Sequence, residues 1–455
     1  MSINFNKAII TGKLGDSAIN VIDRSRGTNW AGRKAMEIDP EILKHFSGID
    51  PERVLFITGT NGKSTVNSLI NHILRHRGFK VVSNIEGANL VTGVASALVK
   101  ASSLSGKVKA DYYIFETDER YLYQIREQLP CSNLLITNLQ KDQVQRNGDP
   151  DFVYRKIARV IDRHKMRLFL NGDEPRSCSL SARAENTVFY GVSKHAESFV
   201  KDDTFVTMPC PFCKSRIVYK HYNNDGMGSF RCSKCGYTNC NGTGEGNYSA
   251  KDVDFGAKTF TVNGTDFTMP YEQPYMLYDY AAAVAAVKEL AGVTEEQSAE
   301  ALKSFHLIGG RIDSVSFRGR NIKYIRFKQE NPETLQNFIN VLEADPEEKV
   351  VVMGMGTIND FDPYYINSFY AFDCDYTGLK NANVKKYIFV TDTIAYDAAN
   401  SFIYGGVDPA KVEVLPTSDE QEIFRAIETA GCDNVYLTIA LHKFELMKEY
   451  ARKEH

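Results

Sequence analysis

One nine-residue stretch, Ile57-Thr-Gly-Thr-Asn-Gly-Lys-Ser-Thr65, constrains this chain more than any other. Arg53 to Thr58 reads as a short β-rich run, and Val66, Leu69, Ile70, Ile73 and Leu74 recur at spacings of three and four until Gly78, which predicts a helix. A strand that enters a glycine-rich turn and leaves as a helix aims several backbone N–H groups and the positive end of the helix dipole at one anion site. Gly59, Thr60, Asn61 and Gly62 form the turn, and Lys63 adds a mobile positive charge for the β- and γ-phosphates of ATP. The hydroxyl of Ser64 or Thr65 completes the coordination of Mg2+. The common phosphate-loop spacing puts a glycine where this chain has Ile57. A tight turn followed by a surface lysine is the simpler alternative, but strand, turn, Gly-Lys-Ser and helix standing in register argue against it.

The alternation continues downstream. Lys80–Ser83, Tyr112–Glu116 and Asn133–Thr137 read as strands and Gly87–Lys100 as a helix, which predicts an α/β fold with a mostly parallel sheet covered on both faces. Between Asp202 and Gly246 the chain turns rich in Cys, Gly, Asn and Lys, the texture of an insertion. The α/β pattern resumes at Gln273, with helices predicted over Tyr278–Ala291 and Glu295–Ser304, and a boundary falls near Gly309-Gly310-Arg311. Beyond it, Glu348–Gly354, Lys386–Thr391 and Asn434–Thr438 read as strands of a second, smaller α/β domain. A length of 455 residues suits this division into an N-terminal segment (1–50), a central domain (51–308, with the insertion at about 205–245) and a C-terminal domain (309–455).

Hydrophobic residues at 43% and charged residues at 24% are those of an ordinary globular protein. A net charge of −3 gives no reason to expect nucleic acid or an anionic membrane as the main partner, and leaves only a local basic patch open. No signal peptide or apolar run of spanning length is found; Tyr280–Leu290 is alanine-rich but carries Lys288 and Glu289, as a buried helix does. The expected location is the cytoplasm. Of nine cysteines, Cys210 and Cys213, then Cys232 and Cys235 followed by Gly236, form two CxxC knuckles, the ligand set of a structural Zn2+ with no coordination position left for water. Cys131, Cys178, Cys240, Cys374 and Cys432 are scattered without a disulfide framework. Lys214, Arg216, Lys220, Arg231 and Lys234 are interspersed among the knuckles, open between a nucleic-acid-binding ribbon and an ordinary surface.

The loop variant Gly59-Thr-Asn-Gly-Lys-Ser-Thr65 resembles the Mur ligase and folylpolyglutamate synthase superfamily, and the four-cysteine insertion narrows the likeness to the MurT family, the ligase-like subunits of lipid II isoglutaminyl synthase. The likeness runs along most of the chain: Arg24 to Arg33 with Asp39–Leu43, Gly87-Ala-Asn89 with Thr92-Gly93, Thr137-Asn138-Leu139 with Asp142, Gln143 and Arg146, Leu170-Asn-Gly-Asp173, Gly310-Arg311 and Asn331-Pro332. It implies a Mur ligase-like central domain, a Rossmann-like C-terminal domain, and chemistry through an acyl phosphate. It implies Glu116 as the Mg2+ carboxylate, with Asp118 and Glu119 open between the site and solvated loop charges, and Asn138, Asp142, Asp279 and Arg311 at the nucleotide. It further implies a GatD-like glutaminase partner, with ATP activating the α-carboxylate of D-glutamate in the lipid II stem peptide for amidation by ammonia. Asp360 and Asp362 are the candidates for an aspartate lent to the partner's glutaminase site. The segment around them, Asn359–Asp373, departs from the family pattern by an insertion and the loss of both tryptophans. Lys141 and Gln145 replace a family arginine and aspartate, and Tyr278-Asp279-Tyr280 stands where Tyr-Asn is usual. A Mur-type ligase for another carboxylate, working without a glutaminase, and a non-catalytic ATP-binding module are the alternative readings.

Overall fold

The structure, a computed structural model, describes residues 3–22, 27–85, 89–142, 149–200, 208–224, 226–240, 247–306, 312–325, 332–354, 374–391 and 394–453. The described residues divide into two units, one of Met1–Gln140 with Asn147–Leu307, the other of Lys141–Arg146 with Ile308–His455.

The first unit opens with two helices, α1 (Ile3–Ile22) and α2 (Gly27–Ile38). The strand β1 (Val54–Thr58) and helix α3 (Lys63–His76) follow, then β2 (Val81–Ser83), α4 (Val91–Ala101), β3 (Tyr112–Glu116), α5 (Leu122–Gln128) and β4 (Asn133–Ile136). Next come α6 (Pro150–Arg163), β5 (Arg167–Asn171), the short α7 (Pro175–Ser179), β6 (Thr187–Val192), and the hairpin β7 (Ile217–Asn224) with β8 (Met227–Cys232). The unit closes with β9 (Asn247–Asp254), β10 (Thr259–Val262), β11 (Thr265–Thr268), α8 (Pro274–Ala291) and α9 (Glu295–Leu302).

Nine strands form one sheet in the order β11-β10-β9-β6-β5-β4-β1-β3-β2. From β2 to β9 every pairing is parallel, and the β9-β10-β11 edge is antiparallel. Successive side chains of a strand point to opposite faces, so β1 sends Leu55 and Ile57 into a core with α3 and α8, and Val54 and Phe56 into one with α1, α2, α4, α5 and α6. This two-sided burial is why the strand is apolar at every position, five buried residues in a row. The chain leaves β1 toward β2 and β3 and then crosses to β4 on its other side, so β1 lies where the order of winding reverses. Ligand crevices in α/β sheets open at the carboxyl ends of strands at such a point.

Helix limits follow local chemistry. Gly78, at φ 84°, ends α3 as expected. Helix α8 starts at Pro274, four residues before the expected Tyr278, because proline's missing N–H and fixed φ suit a first turn, and it stops at Gly292 in the left-handed region, φ 66°. The helix predicted from Gly87 instead begins at Val91. Leu90 is extended, and the backbone carbonyl of Asn89 accepts from Asp118 N–H, which holds this entry out of the helix. The disulfide-free reading of the scattered cysteines is also corrected: Cys178 and Cys240 form a disulfide, brought together where Cys240 N–H donates to Gly172 O at 3.1 Å.

The second unit has a six-stranded sheet, β12-β13-β17-β14-β15-β16, parallel except for the β12/β13 hairpin. Its strands are β12 (Ile312–Phe317), β13 (Arg320–Ile325), β14 (Lys349–Gly354), β15 (Val384–Val390), β16 (Val412–Leu415) and β17 (Asn434–Thr438). Helices α10 (Pro332–Ala344) and α11 (Ile394–Tyr404) cover one face, and α12 (Glu420–Ala430) and α13 (Leu441–Lys453) the other. Among the described residues no helix is long and apolar enough to cross a membrane.

Candidate active site

The C-terminal ends of β3, β1 and β4 converge on one place. From β1 the chain enters the glycine turn, whose tight geometry is compulsory at two positions. Gly59 (φ 125°) and Gly62 (φ 84°) have backbone angles that side chains rarely adopt, and a Cβ would collide with Thr137 Oγ1 at the first and with the Asp279 carboxylate at the second. Asp279, on α8 and 6% exposed, therefore lies directly against the loop.

Lys63 opens α3 yet is buried, and its Nζ donates to Glu119 Oε1 at 2.8 Å, to Thr60 O at 3.3 Å and to Gly59 O. Ser64, open to solvent, donates from Oγ to Glu116 Oε2 at 2.7 Å. Thr65 follows in the same first turn, where the N–H groups of an α-helix have no partner within the helix. Glu116 ends β3, and its backbone is clamped by Asn84, whose Oδ1 accepts from Glu116 N–H at 2.9 Å and whose Nδ2 donates to Glu116 O at 2.8 Å. Asn89 Nδ2 reaches Glu116 Oε1 at 3.4 Å. The Ser64 and Glu116 oxygens fit Mg2+, because neighbouring ligands of an octahedral ion at 2.0–2.1 Å stand about 2.9 Å apart.

Asp118 and Glu119, left open by the sequence, are not solvated loop charges; each is 7% exposed. Burial pushes the Asp118 carboxyl up, but the Arg120 guanidinium, with Nε and Nη2 each at 3.0 Å, the Arg120 N–H and the more distant Lys63 hold it below the ordinary carboxylate value. It stays an anion bound to arginine.

On the β4 side, Asn138 braces the loop: its O accepts from Thr60 N–H at 2.8 Å, its Oδ1 from Asn61 N–H at 3.0 Å, and its Nδ2 donates to Asn61 O at 3.2 Å. Gln140 adds Asn61 Nδ2 to Oε1 at 3.1 Å and a two-way link to Thr60 Oγ1. The N–H groups of Thr60 and Asn61, expected at the phosphates, are thus turned to Asn138 here. Asp142 is 9% exposed and groups with the second unit. Arg311, Asp360 and Asp362 lie outside the described residues, as do Gln143, Arg146, Gly310 and Asn331.

The four knuckle cysteines also come together. The Sγ atoms of Cys210, Cys213, Cys232 and Cys235 all lie within 4.8 Å of one another, with Cys210 and Cys235 at 3.7 Å and Cys213 and Cys232 at 3.4 Å. A tetrahedron of thiolates at 2.3 Å from a zinc ion has edges of about 3.8 Å, so the donor set fits that metal. Each knuckle turns through a left-handed residue just after its second cysteine, Lys214 (φ 63°) and Gly236 (φ 75°). The N–H groups of Lys234 and Cys235 point at Cys232 Sγ, at 3.4 and 3.5 Å.

Comparison with known proteins gives the family of this fold. The Mur ligase middle domain matches residues 57–210 and the MurT ligase C-terminal domain matches residues 329–441, together more than half of the chain. The MurT subunit of the glutamine-hydrolysing lipid II isoglutaminyl synthase of Staphylococcus aureus (strain COL) is 26% identical over 92% of this chain and 91% of its own. This chain belongs to the MurT family of Mur ligase-like proteins. The MurT subunit of Streptococcus pneumoniae (strain ATCC BAA-255 / R6) is 23% identical over 97% of both chains. A pseudomurein peptide ligase type C from Methanothermus fervidus shares the fold, with a TM-score of 0.68 at 19% identity over 91% of this chain and 81% of that one.

In this MurT-family chain, sequence reasoning reached Lys63, Ser64 and Glu116 but not their supports. Glu119 as the partner of Lys63, Asn84 as the clamp of Glu116, and Gln140 behind the loop carry no motif; an acidic residue three places after Glu116 was the only signal available. Asp173, noted only within Leu170-Asn-Gly-Asp173, is fully buried at a junction, where Oδ2 accepts from Val192 N–H and Tyr278 OH at 2.8 and 3.0 Å and Oδ1 from Asn239 at 3.3 Å.

Proposed function

We propose that this chain is an ATP-dependent ligase subunit that activates a carboxylate as an acyl phosphate for amidation. The observation that carries the reading is the convergence of Lys63 with the Ser64–Glu116 pair at the carboxyl ends of adjacent parallel strands, in a chain whose MurT relatives match it nearly end to end. A carboxylate resists attack by nitrogen because its oxygen is a poor leaving group. Phosphorylation removes that obstacle: a carboxylate oxygen attacks the γ-phosphorus, ADP departs, ammonia then adds to the acyl carbon, inorganic phosphate leaves and the nitrogen loses a proton. Lys63 neutralises phosphate charge as the bridge to ADP breaks; Ser64 Oγ and Glu116 would hold a magnesium ion, which would supply Lewis-acid neutralisation of the phosphates when bound. The nucleotide is further bordered by Asp279 and Asn138, with Asp142 and Arg311 from the family pattern.

In this proposal the carboxylate is the α-carboxylate of D-glutamate in the lipid II stem peptide, on the cytoplasmic side, and ammonia comes from glutamine through a GatD-like glutaminase partner to which Asp360 or Asp362 contributes; the likeness to MurT subunits of a glutamine-hydrolysing lipid II isoglutaminyl synthase supports it. Delivery by a partner suits the chemistry, since only unprotonated ammonia is nucleophilic. Zinc is the proposed occupant of the four-cysteine site, in a structural role.

The test is phosphate release from ATP by the purified chain with lipid II, with and without a co-expressed glutaminase and glutamine, beside Lys63→Ala. Release that needs lipid II, and a stem peptide lighter by the difference between OH and NH2, is the expected result. Release that needs Lys63 but ignores lipid II moves the assignment to another carboxylate, and ATP binding without turnover on any acceptor overturns the ligase reading.

A further inference from the structure

The β7/β8 hairpin sorts its side chains by face. Ile217, Phe230 and Cys232 are each 2% exposed and form the ribbon's small core, whereas Val218, Lys220 and Arg231 stand out to solvent. Val218 and Arg231 are cross-strand partners, so they share one face, and Val218 is 43% exposed in that setting. Together with Lys234 of the second knuckle they line a concavity of about 750 Å³ that contains no carboxylate. Lys220, Arg231 and Lys234 form no ion pair with any described residue, unlike Lys214, which lies 3.9 Å from Asp151. From Met208 to Cys240 the sequence has five Lys and Arg against one acidic residue, Asp225, so the segment stays positive after the net −2 of a zinc ion held by four thiolates is counted.

We propose that this outer face of the hairpin docks the protein onto an anionic phospholipid bilayer. Three unpaired cations around an exposed valine match a surface that is negative at its headgroups and apolar just beneath. The same face is a poor seat for single-stranded nucleic acid, which is bound by aromatic rings free to stack on bases. Here the rings are already used: Phe230 is buried, and Tyr219 stacks on Tyr222 with ring centres 4.2 Å apart. The chain as a whole is acidic at −3, so a bilayer attracts this face and repels much of the remainder, which orients the protein as well as holding it. The docking goes beyond the ligase reading and does not depend on catalysis.

The full zinc-loaded chain is floated with phosphatidylcholine vesicles with and without phosphatidylglycerol, in the absence of ATP and acceptor, so the outcome is separable from that of the ligase assay. Flotation is expected only with phosphatidylglycerol and is expected to fade as salt is raised. Lys220→Ser, Arg231→Ser and Lys234→Ser combined should weaken partition roughly a hundredfold, given the strength of each basic residue near an anionic surface. Arg231→Gln alone should cost about fivefold on the same basis, and Lys220→Arg with Lys234→Arg should restore wild-type partition. Zinc content and ADP binding of each variant report folding independently. No flotation with anionic vesicles, flotation of the triple variant equal to wild type, or binding of a single-stranded RNA oligonucleotide without vesicle binding would each overturn the proposal.

Discussion

Lys63 carries its charge into a nearly closed place, and the fold meets that charge with Glu119 and with carbonyls of the lysine's own loop. Glu119 occupies the partnership that phosphate oxygens would need. Lys63→Ala should therefore do two things: abolish ATP turnover, and destabilise the protein by about 3–5 kcal/mol, because a buried carboxylate loses its cation. Adding Glu119→Gln to that variant should restore most of the stability and none of the turnover, a non-additivity that denaturant titration and phosphate-release assays read directly. Glu119→Gln alone should tighten ADP binding severalfold, measured by calorimetry, since it removes both a competitor for Lys63 and a negative charge beside the phosphates; weaker binding would mean that Glu119 positions the lysine for its ligand. At this scale the sequence was readable for Lys63, Ser64 and Glu116, whose neighbours along the chain define them. It was silent on the Lys63–Glu119 pair, whose members are 56 residues apart and meet only because β1 and β3 are adjacent and parallel.

The elements around the site differ in how they are held. The P-loop turn and α3 rest on a large core, whereas the ribbon is a two-stranded hairpin over five buried residues, too little to be stable unaided. About one zinc per chain is expected by elemental analysis, and Cys213→Ser or chelation should open Met208–Cys240 to proteolysis while leaving ADP affinity intact, because the core beneath the phosphate loop takes only Met227 from the hairpin. The ribbon's other anchor is Asp173, which touches β6, α8 and Asn239 at once. Burial raises its carboxyl to about 7, against the pull of the Val192, Tyr278 and Asn239 donors. The folded chain thus keeps a proton that the unfolded chain releases near the ordinary carboxylate value, so stability from this residue is complete below pH 4 and is lost as pH rises toward 7, by roughly 1.4 kcal/mol per pH unit. Urea midpoints measured from pH 5 to 8 should fall with rising pH, and Asp173→Asn should flatten that slope by one proton's share, with Glu174, raised to about 7 by its own burial, supplying another.

At the scale of the whole molecule, two units with separate cores should give two calorimetric transitions. ADP with Mg2+ at a hundredfold excess over its dissociation constant should stabilise the first unit, which carries the phosphate loop, by about 2.7 kcal/mol and raise its transition, and a single transition would show the two units to be thermodynamically coupled. The sequence by itself determined what depends on neighbours along the chain: the strand–loop–helix of the phosphate site, because glycines and an apolar period are local; the two cysteine knuckles, because ligand pairs are local; and the α/β class, because alternation of periods is local. Only the tertiary structure decided what depends on residues distant in sequence. It set the order β4-β1-β3 that gathers Asn138, Lys63 and Glu116 at one edge, the burial that keeps Asp118 and Glu119 out of solvent, the antiparallel β9–β11 extension, and the joining of Cys178 to Cys240. A local pattern records a residue's own conformational preference, whereas a partner across a sheet is fixed by which strands bury which faces, and that is a property of the packed core.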